Sequence, residues 1–476
     1  AWKKYPDLLL FASDYLTIRM TEKEGEMKAI PESFNMVWLV KKILRLPLRF
    51  HFLADRTWIK RSSVWFGNSI CCPSCTYNKE QIGDDMFHSE YDFALDWDNL
   101  YELAGKKGRF ICSEKPLIAY RVHAAATTKA CIEDNRRPAD EMAMFRKMWP
   151  DWMVKILMHF YRKADVIIPT FKPGDKLEKL LRRLLEQSVP VERVIIMNTE
   201  EKYWDAERFE SLFEGEDTKL TVCHIRQSEF DHGRTRHEGI LKSDADVCIC
   251  MTHDCVPYDR NLVKELLEAL DASECVAAAY ARQLPAADCG VIERYTRDFN
   301  YPAVSRLKGK EDEDELGIKT YFCSNVCAAY RRDIYLKLGG FTKKTIFNED
   351  MIFAGHAVEA GYHIAYAADA QVIHSHNYTA MQQLHRNFDL GVSQADHPEV
   401  FGRLHSEGEG IRLVKKTAKW LVENGHVLLL PQLVMASGSK YAGYWLGKHY
   451  KKLPEGLIRS LTMNPAYWEG EAGDGR

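Results

Sequence analysis

The sequence predicts an α/β fold from Asp165 onward, an open and mostly parallel sheet flanked by helices on both faces. Three observations carry this: short continuous apolar runs of the kind buried in parallel strands, a Pro-Gly turn ending the first of them, and a leucine stripe at helical spacing directly after it. "DVIIPT" is the first strand and "FKPG" breaks it. Leu177, Leu180, Leu181, Leu184 and Leu185 then share one helix face, with Lys and Arg on the other. "RVIIM", "LTVCHI" and "DVCICM" follow as the second to fourth strands, and "NLVKELLEAL" as the next helix. Ligands of such sheets bind beyond the carboxyl ends of the strands, which is where Thr170, Asn198 and Asp254 fall.

The 476 residues are too many for one average domain and enough for two hydrophobic cores. Lys and Arg total 65 against 68 Asp and Glu, so no basic excess points to nucleic acid as a partner. The 13 cysteines are odd in number and scattered, unlike a small secreted disulfide scaffold, and a reducing cytoplasm is the expected compartment. No run of about 18 apolar residues occurs, so membrane contact is expected to be peripheral.

No G-x-G-x-x-G follows a strand and no G-x-x-x-x-G-K-[ST] occurs, which disfavours dinucleotide oxidoreductases and P-loop NTPases. The richest segment is Phe347 to Thr379, where the acidic pair Glu349 and Asp350 precedes His374 and His376. Together with Asp254 at a strand end, it offers a proton acceptor and metal ligands suited to moving a group off a diphosphate. Hard oxygen ligands suit Mg²⁺ and Mn²⁺, and an imidazole tilts the choice toward Mn²⁺. Each residue also has a plainer reading. Asp254 either faces a metal or caps the helix starting near Asp259, and Asp350 is either a base or an acid stabilised at a helix N-terminus. His374 and His376 point the same way if their segment is a strand, as ligands or as structural histidines. The run Glu311 to Glu315 reads as a solvated loop, with a lid as the alternative.

The strings "VIIPTFKPG", "FDHGRTRHEGI", "MTHDCVP", "YARQLP", "FNYP", "GGFTKKTIFNED", "HSHNYT" and "RNFDLG" resemble, in order, a family 2 glycosyltransferase of the GT-A fold. The likeness spans residues 164–405 and is greatest to bacterial rhamnosyltransferases that build cell-surface polysaccharide. It implies inverting transfer of a sugar, L-rhamnose from dTDP-L-rhamnose, to a hydroxyl of a polysaccharide or lipid-linked glycan. By the same likeness Thr170 and Asn198 hold the nucleoside and Arg236 approaches the base or phosphates. Asp254 matches the last aspartate of the metal-binding D-x-D, Asp350 the general base with Glu349 beside it, His374 the histidine closing the metal shell, and Arg386 a diphosphate contact. Two departures stand out: the D-x-D reads Thr252, His253, Asp254, and "MNTEE" leaves Asn198 or Glu200 as the nucleoside contact. A UDP-hexose donor and a non-catalytic scaffold in a polysaccharide-assembly complex remain the alternatives.

Residues 1–150 resemble the rear half of a second such module, joined by a linker over 151–163. Phe87 precedes Asp96 by the interval at which Phe341 precedes Asp350, and His123 trails Asp96 much as His374 trails Asp350. Asp96 and His123 would then be the base and metal-side histidine of an incomplete site. With Ala1 in place of Met, the chain reads as the C-terminal part of a longer tandem transferase. Cys71, Cys72 and Cys75 lack a second ligand pair and read as core or loop cysteines rather than a zinc site. Residues 406–476 read as helical, with lysines interleaved among Trp420, Tyr441, Tyr444, Trp445 and Tyr450. That mixture fits either a peripheral contact with an anionic bilayer or a helical cap with its lysines in water.

Overall fold

The computed structural model describes residues 3–468 apart from 24–25, 32–35, 85, 88–90, 92–93, 123–135, 151, 155–156, 158–161 and 403–406. The chain divides into two compact units, Ala1–Tyr161 and Arg162–Arg476.

The first unit is built on strands β1 (Leu8–Lys23), β2 (Glu26–Pro31), β3 (Cys75–Tyr77) and β4 (Arg109–Val122). β1 pairs antiparallel with β2 and β3 and parallel with β4. Leu10, Trp97, Phe110 and Phe145 anchor its core.

In the second unit the strands are β5 (Ala164–Phe171), β6 (Arg193–Thr199), β7 (Lys219–Ile225), β8 (Val247–Met251), β9 (Val256–Pro257), β10 (Val276–Leu284), β11 (Arg306–Lys308), β12 (Cys327–Arg331) and β13 (His363–Ile373). They form one sheet in the order β11-β13-β10-β12-β8-β5-β6-β7, with β9 on β13. β7, β6, β5 and β8 run parallel, and the antiparallel β12 links them to a second parallel pair, β10 and β13. β5 is buried along all but its last residue, as expected for a parallel strand covered on both faces. Helices Asp175–Leu185 and Leu262–Leu270 cover one face through the leucine stripe. Helices His232–Leu241 and Glu349–Glu359 cover the other.

Two glycines let His232–Leu241 lie close to its neighbours. A Cβ at Gly239 would stand 2.6 Å from Ile167 Cγ2 in β5, and one at Gly233 would stand 2.0 Å from the carbonyl oxygen of Thr342. This helix is therefore wedged between the sheet and the loop leading into Glu349.

The C-terminal region is helical, and its helices pack on the second unit. Helix Ala380–Asp396 meets helix Leu430–Lys448 at glycines on both sides: Cβ atoms at Gly391, Gly443 and Gly447 would stand 2.1–2.4 Å from backbone oxygens of the opposite helix. Tyr450 and Trp468 bury with Phe388 and Ile346, tying the end of the described chain to the same loop. No helix among the described residues is long and apolar enough to cross a membrane. The acidic run is not a free loop: it forms a short helical turn in which Arg306 bonds Asp312 and Glu315, and Glu313 accepts from the Tyr321 hydroxyl.

Candidate active site

β8 and β13 point the same way, and their exits bring three ligating side chains together. Asp254 follows the end of β8, and His374 and His376 follow β13. His376 Nε2 lies 3.3 Å from Asp254 Oδ2, His374 Nε2 lies 3.7 Å from Asp254 Oδ1, and the two imidazole nitrogens are 3.0 Å apart. Asp254 is thus not the helix cap, a position taken by Asn261. Both histidines belong to the cluster, although β13 stops at Ile373, before either of them.

The orientation of His374 is set from behind. Gln283 at the end of β10 donates its amide to the Tyr301 hydroxyl and Ser324 Oγ, which leaves its oxygen to accept from Arg297 and from His374 Nδ1 at 3.1 Å. With Nδ1 as the donor, Nε2 of His374 carries a lone pair toward Asp254 and His376. Burial pushes His374 down to about 3, and burial also lowers His376. Two neutral imidazoles and a carboxylate therefore bring their potential ligand atoms within 4.8 Å of one another, a donor set that fits a divalent cation. It is the one such cluster among the described residues.

The cluster lines a cleft of about 580 Å³, and Glu349 and Asp350 line it too. Asn348, the residue before this helix, adopts the left-handed conformation at φ 65°, which Asn tolerates better than most residues. Its amide donates to Ser393 Oγ at 3.2 Å, and that hydroxyl donates to the Phe347 carbonyl at 2.7 Å. Asp350 accepts backbone N–H bonds from Asn325 and Met351, each at 2.8 Å. Burial, reinforced by the neighbouring Glu349 charge, pushes Asp350 up to about 7 despite those two bonds.

Glu349 points elsewhere. Its Oε1 takes Arg236 Nη1 at 3.1 Å and the Asn325 amide at 3.0 Å, both within the core. Burial opposes its charge, yet Arg236, His232 and Asn325 together hold the carboxyl below its ordinary range. Arg236 also donates to the His232 carbonyl, while its Nε has no partner. Arg386 reaches the cleft from helix Ala380–Asp396 and lies 4.7 Å over the Phe347 ring and 5.7 Å over Tyr378.

Thr170 and Asn198 sit together at the carboxyl ends of β5 and β6 but do not line this cleft. Thr170 Oγ1 donates to Asn198 Oδ1 at 3.0 Å, and Asn198 Nδ2 lies within 3.1 Å of the Glu200 carbonyl and His224. Both side chains are buried and bonded internally. Beside them Phe171 packs edge-on to Tyr203, with Lys172 about 5 Å over both rings.

In the first unit Asp96 opens helix Leu95–Gly105, with Leu95 standing where Glu349 precedes Asp350. Asn68 donates to Asp96 at 3.0 Å, and burial raises the Asp96 carboxyl. His123 lies outside the described residues.

Gln283, Arg297, Asn325 and Lys440 are among the cleft residues that the motifs did not single out. Gln283 stands in "YARQLP", where a lone Gln after an apolar run is the only signal. Lys440 reads in the sequence only as one of the lysines among the C-terminal aromatics, because its place in the cleft joins helices far apart in sequence.

The profile of glycosyl transferase family 2 matches residues 165–339. The O-antigen chain rhamnosyltransferase RfbN of Salmonella typhimurium is 36% identical over 311 residues, 64% of this chain and 96% of that protein. The O-antigen chain rhamnosyltransferase WbaN of Salmonella anatum is 39% identical over 251 residues, 52% of this chain and 78% of that protein. Among solved structures, the mannosyltransferase PcManGT of Pyrobaculum calidifontis aligns at a TM-score of 0.40 and 14% identity, over 71% of this chain and 95% of that one.

Proposed function

Because the chain belongs to glycosyl transferase family 2, we propose that it transfers L-rhamnose from dTDP-L-rhamnose to a hydroxyl of a growing cell-surface glycan, inverting the anomeric carbon. The donor sugar is supported by the two relatives, both O-antigen chain rhamnosyltransferases. The mechanism rests on one observation above the rest: a buried carboxyl, Asp350, raised toward neutrality in the same cleft as the Asp254, His374 and His376 cluster.

In the proposed reaction the acceptor oxygen attacks the anomeric carbon and its proton passes to Asp350. The bond from that carbon to the diphosphate oxygen breaks, and the nucleoside diphosphate leaves with the electron pair. A base with a pKa near 7 is half-ionised at neutral pH and still basic enough to take a proton, which suits it to this step. The two backbone N–H bonds fix the direction of the Asp350 carboxylate. Glu349 is a positioning residue, holding Arg236 and Asn325 and keeping a negative charge beside the base.

Asp254, His374 and His376 would hold Mn²⁺, with Mg²⁺ as the alternative. When bound, the cation supplies charge neutralisation for the departing diphosphate. Arg386 meets the same leaving group from the mouth of the cleft. Thr170 and Asn198 shape the nucleoside side indirectly, and the Phe171–Tyr203 pair is the surface for the base. The working compartment is the cytoplasm, where thiols stay reduced, and the twelve described cysteines are free.

The pairing of β1 with β4 and β3 repeats that of β10 with β13 and β12, which supports reading the first unit as a second copy of the acceptor-side half. Asp96 then stands in the place of Asp350.

The test is nucleoside-diphosphate release by the purified chain with Mn²⁺ and an O-antigen-type acceptor, offering dTDP-L-rhamnose beside UDP-hexoses. Release from dTDP-L-rhamnose alone is expected. Release from a UDP-hexose alone would overturn the donor assignment and leave the mechanism standing.

A further inference from the structure

We propose that the outward face of helix Leu430–Lys448 seats on an anionic lipid surface, which places the cleft beside acceptors held in that surface. The identity of the acceptor rests on the transferase reading. The contact itself does not.

A surface helix ordinarily turns charge toward water, and this one does the reverse. Val434, Met435, Tyr441 and Trp445 are 68%, 61%, 62% and 51% exposed. Their spacing puts them on one face, with Pro431, Gly438 and Ala442 exposed between them. The opposite face carries Leu433, Gly443 and Gly447, buried toward the second unit. Just before the helix, Val427 and Leu428 add side chains that are 50% and 94% exposed. On helix Glu407–Glu423, Ile411 and Val422 are exposed, with Lys415 between them on the same face. Exposed apolar side chains gathered on one helix face in this way mark a contact surface.

Charge selects the partner. From Asn424 to Pro454 the chain has no Asp or Glu, although its net charge is −3. The same stretch holds Lys440, Lys448, Lys451 and Lys452. Of these, Lys451 pairs with Asp396 at 3.2 Å and Lys440 lines the cleft, which leaves Lys448 and Lys452 to join the outward apolar side chains, a Trp and a Tyr among them, in a pattern that matches a helix lying in an anionic interface. A second copy of the chain would set the same lysines against one another. The helix also has a stake in the site, because Lys440 lines the cleft with Arg297 and Glu293. Lys440 lies on the side of the helix opposite Val434, Tyr441 and Trp445, so the helix stands between the seated face and the cleft.

The experiment is co-sedimentation of the full chain with vesicles of phosphatidylcholine, with and without phosphatidylglycerol, alongside Met435→Ser/Trp445→Ser. Binding is expected with phosphatidylglycerol, to weaken as salt rises, and to fall about tenfold in the double variant while its melting temperature holds. Failure to bind anionic vesicles at low salt, or equal binding by the double variant, overturns the proposal. So does a light-scattering mass showing a dimer that the double variant converts to monomer, since the face would then be a self-interface. No donor is needed in these assays. Vesicle binding by a chain that releases no nucleotide would uphold this proposal and sink the transferase reading, and transfer without vesicle binding would do the opposite.

Discussion

The proposed chemistry turns on two adjacent carboxyls that their surroundings shift in opposite directions. Asp350 sits at a helix N-terminus, where the dipole favours its charge, but burial and the Glu349 charge outweigh that and raise it to about 7. A base works only when deprotonated, so kcat/KM should rise as pH increases through about 7 and level off above it. Glu349→Gln removes the negative neighbour, which lowers the Asp350 pKa, so the acid limb of the profile should move to lower pH. A merely structural Glu349 would leave that limb in place. The variant also leaves Arg236 buried without its partner, and a loss of about 3 kcal/mol in unfolding free energy should accompany the shift. Behind the histidines, Gln283→Leu would free His374 Nδ1 and release the ring. Mn²⁺ affinity, read by titration, should fall about 10- to 100-fold. An unchanged affinity would mean that the tautomer is not set from Gln283.

At the scale of elements, the site depends on close helix approaches that glycine permits. Gly443 faces the Leu384 carbonyl oxygen, where a Cβ would stand 2.1 Å away. Gly443→Ala should therefore cost about 1–3 kcal/mol of stability, read as a lowered melting temperature, because two backbones and not a flexible side chain must move apart. The strands β5, β6 and β8 and the helix Asp175–Leu185 were legible in the sequence because each is buried along a regular face, while the half-buried β7 was legible from its apolar residues. β10 to β13 were less so. β10 and β13 are alanine-rich, and β11 and β12 are short, so neither pair carries the branched apolar signal. The left-handed Asn348 depends on Ser393, 45 residues away, and the turn at Glu311 to Glu315 on Arg306, which pairs with it across six to nine residues and leaves no periodic apolar pattern.

Across the whole molecule, the motifs anticipated which residues share the cleft more surely than what each touches. Asp254, Asp350 and His374 were visible from the order of the strings, and the cleft gathers all three. His376 was an equal candidate from its spacing, and the geometry brings it nearer to Asp254 than His374. Thr170 and Asn198 lie at the expected strand ends, yet their side chains bond to each other, a pairing across β5 and β6 that spacing cannot reveal. The C-terminal helices pack inward through glycines, as the helical-cap reading expects, and carry exposed apolar residues outward.

The measurement that bears most directly on the proposed mechanism is the turnover of Asp350→Asn set beside its donor affinity. Loss of about 10²- to 10⁴-fold in kcat, with donor binding in the presence of Mn²⁺ unchanged, is the expected result. Turnover equal to that of the unaltered chain would contradict the assignment of Asp350 as the group that takes the acceptor's proton.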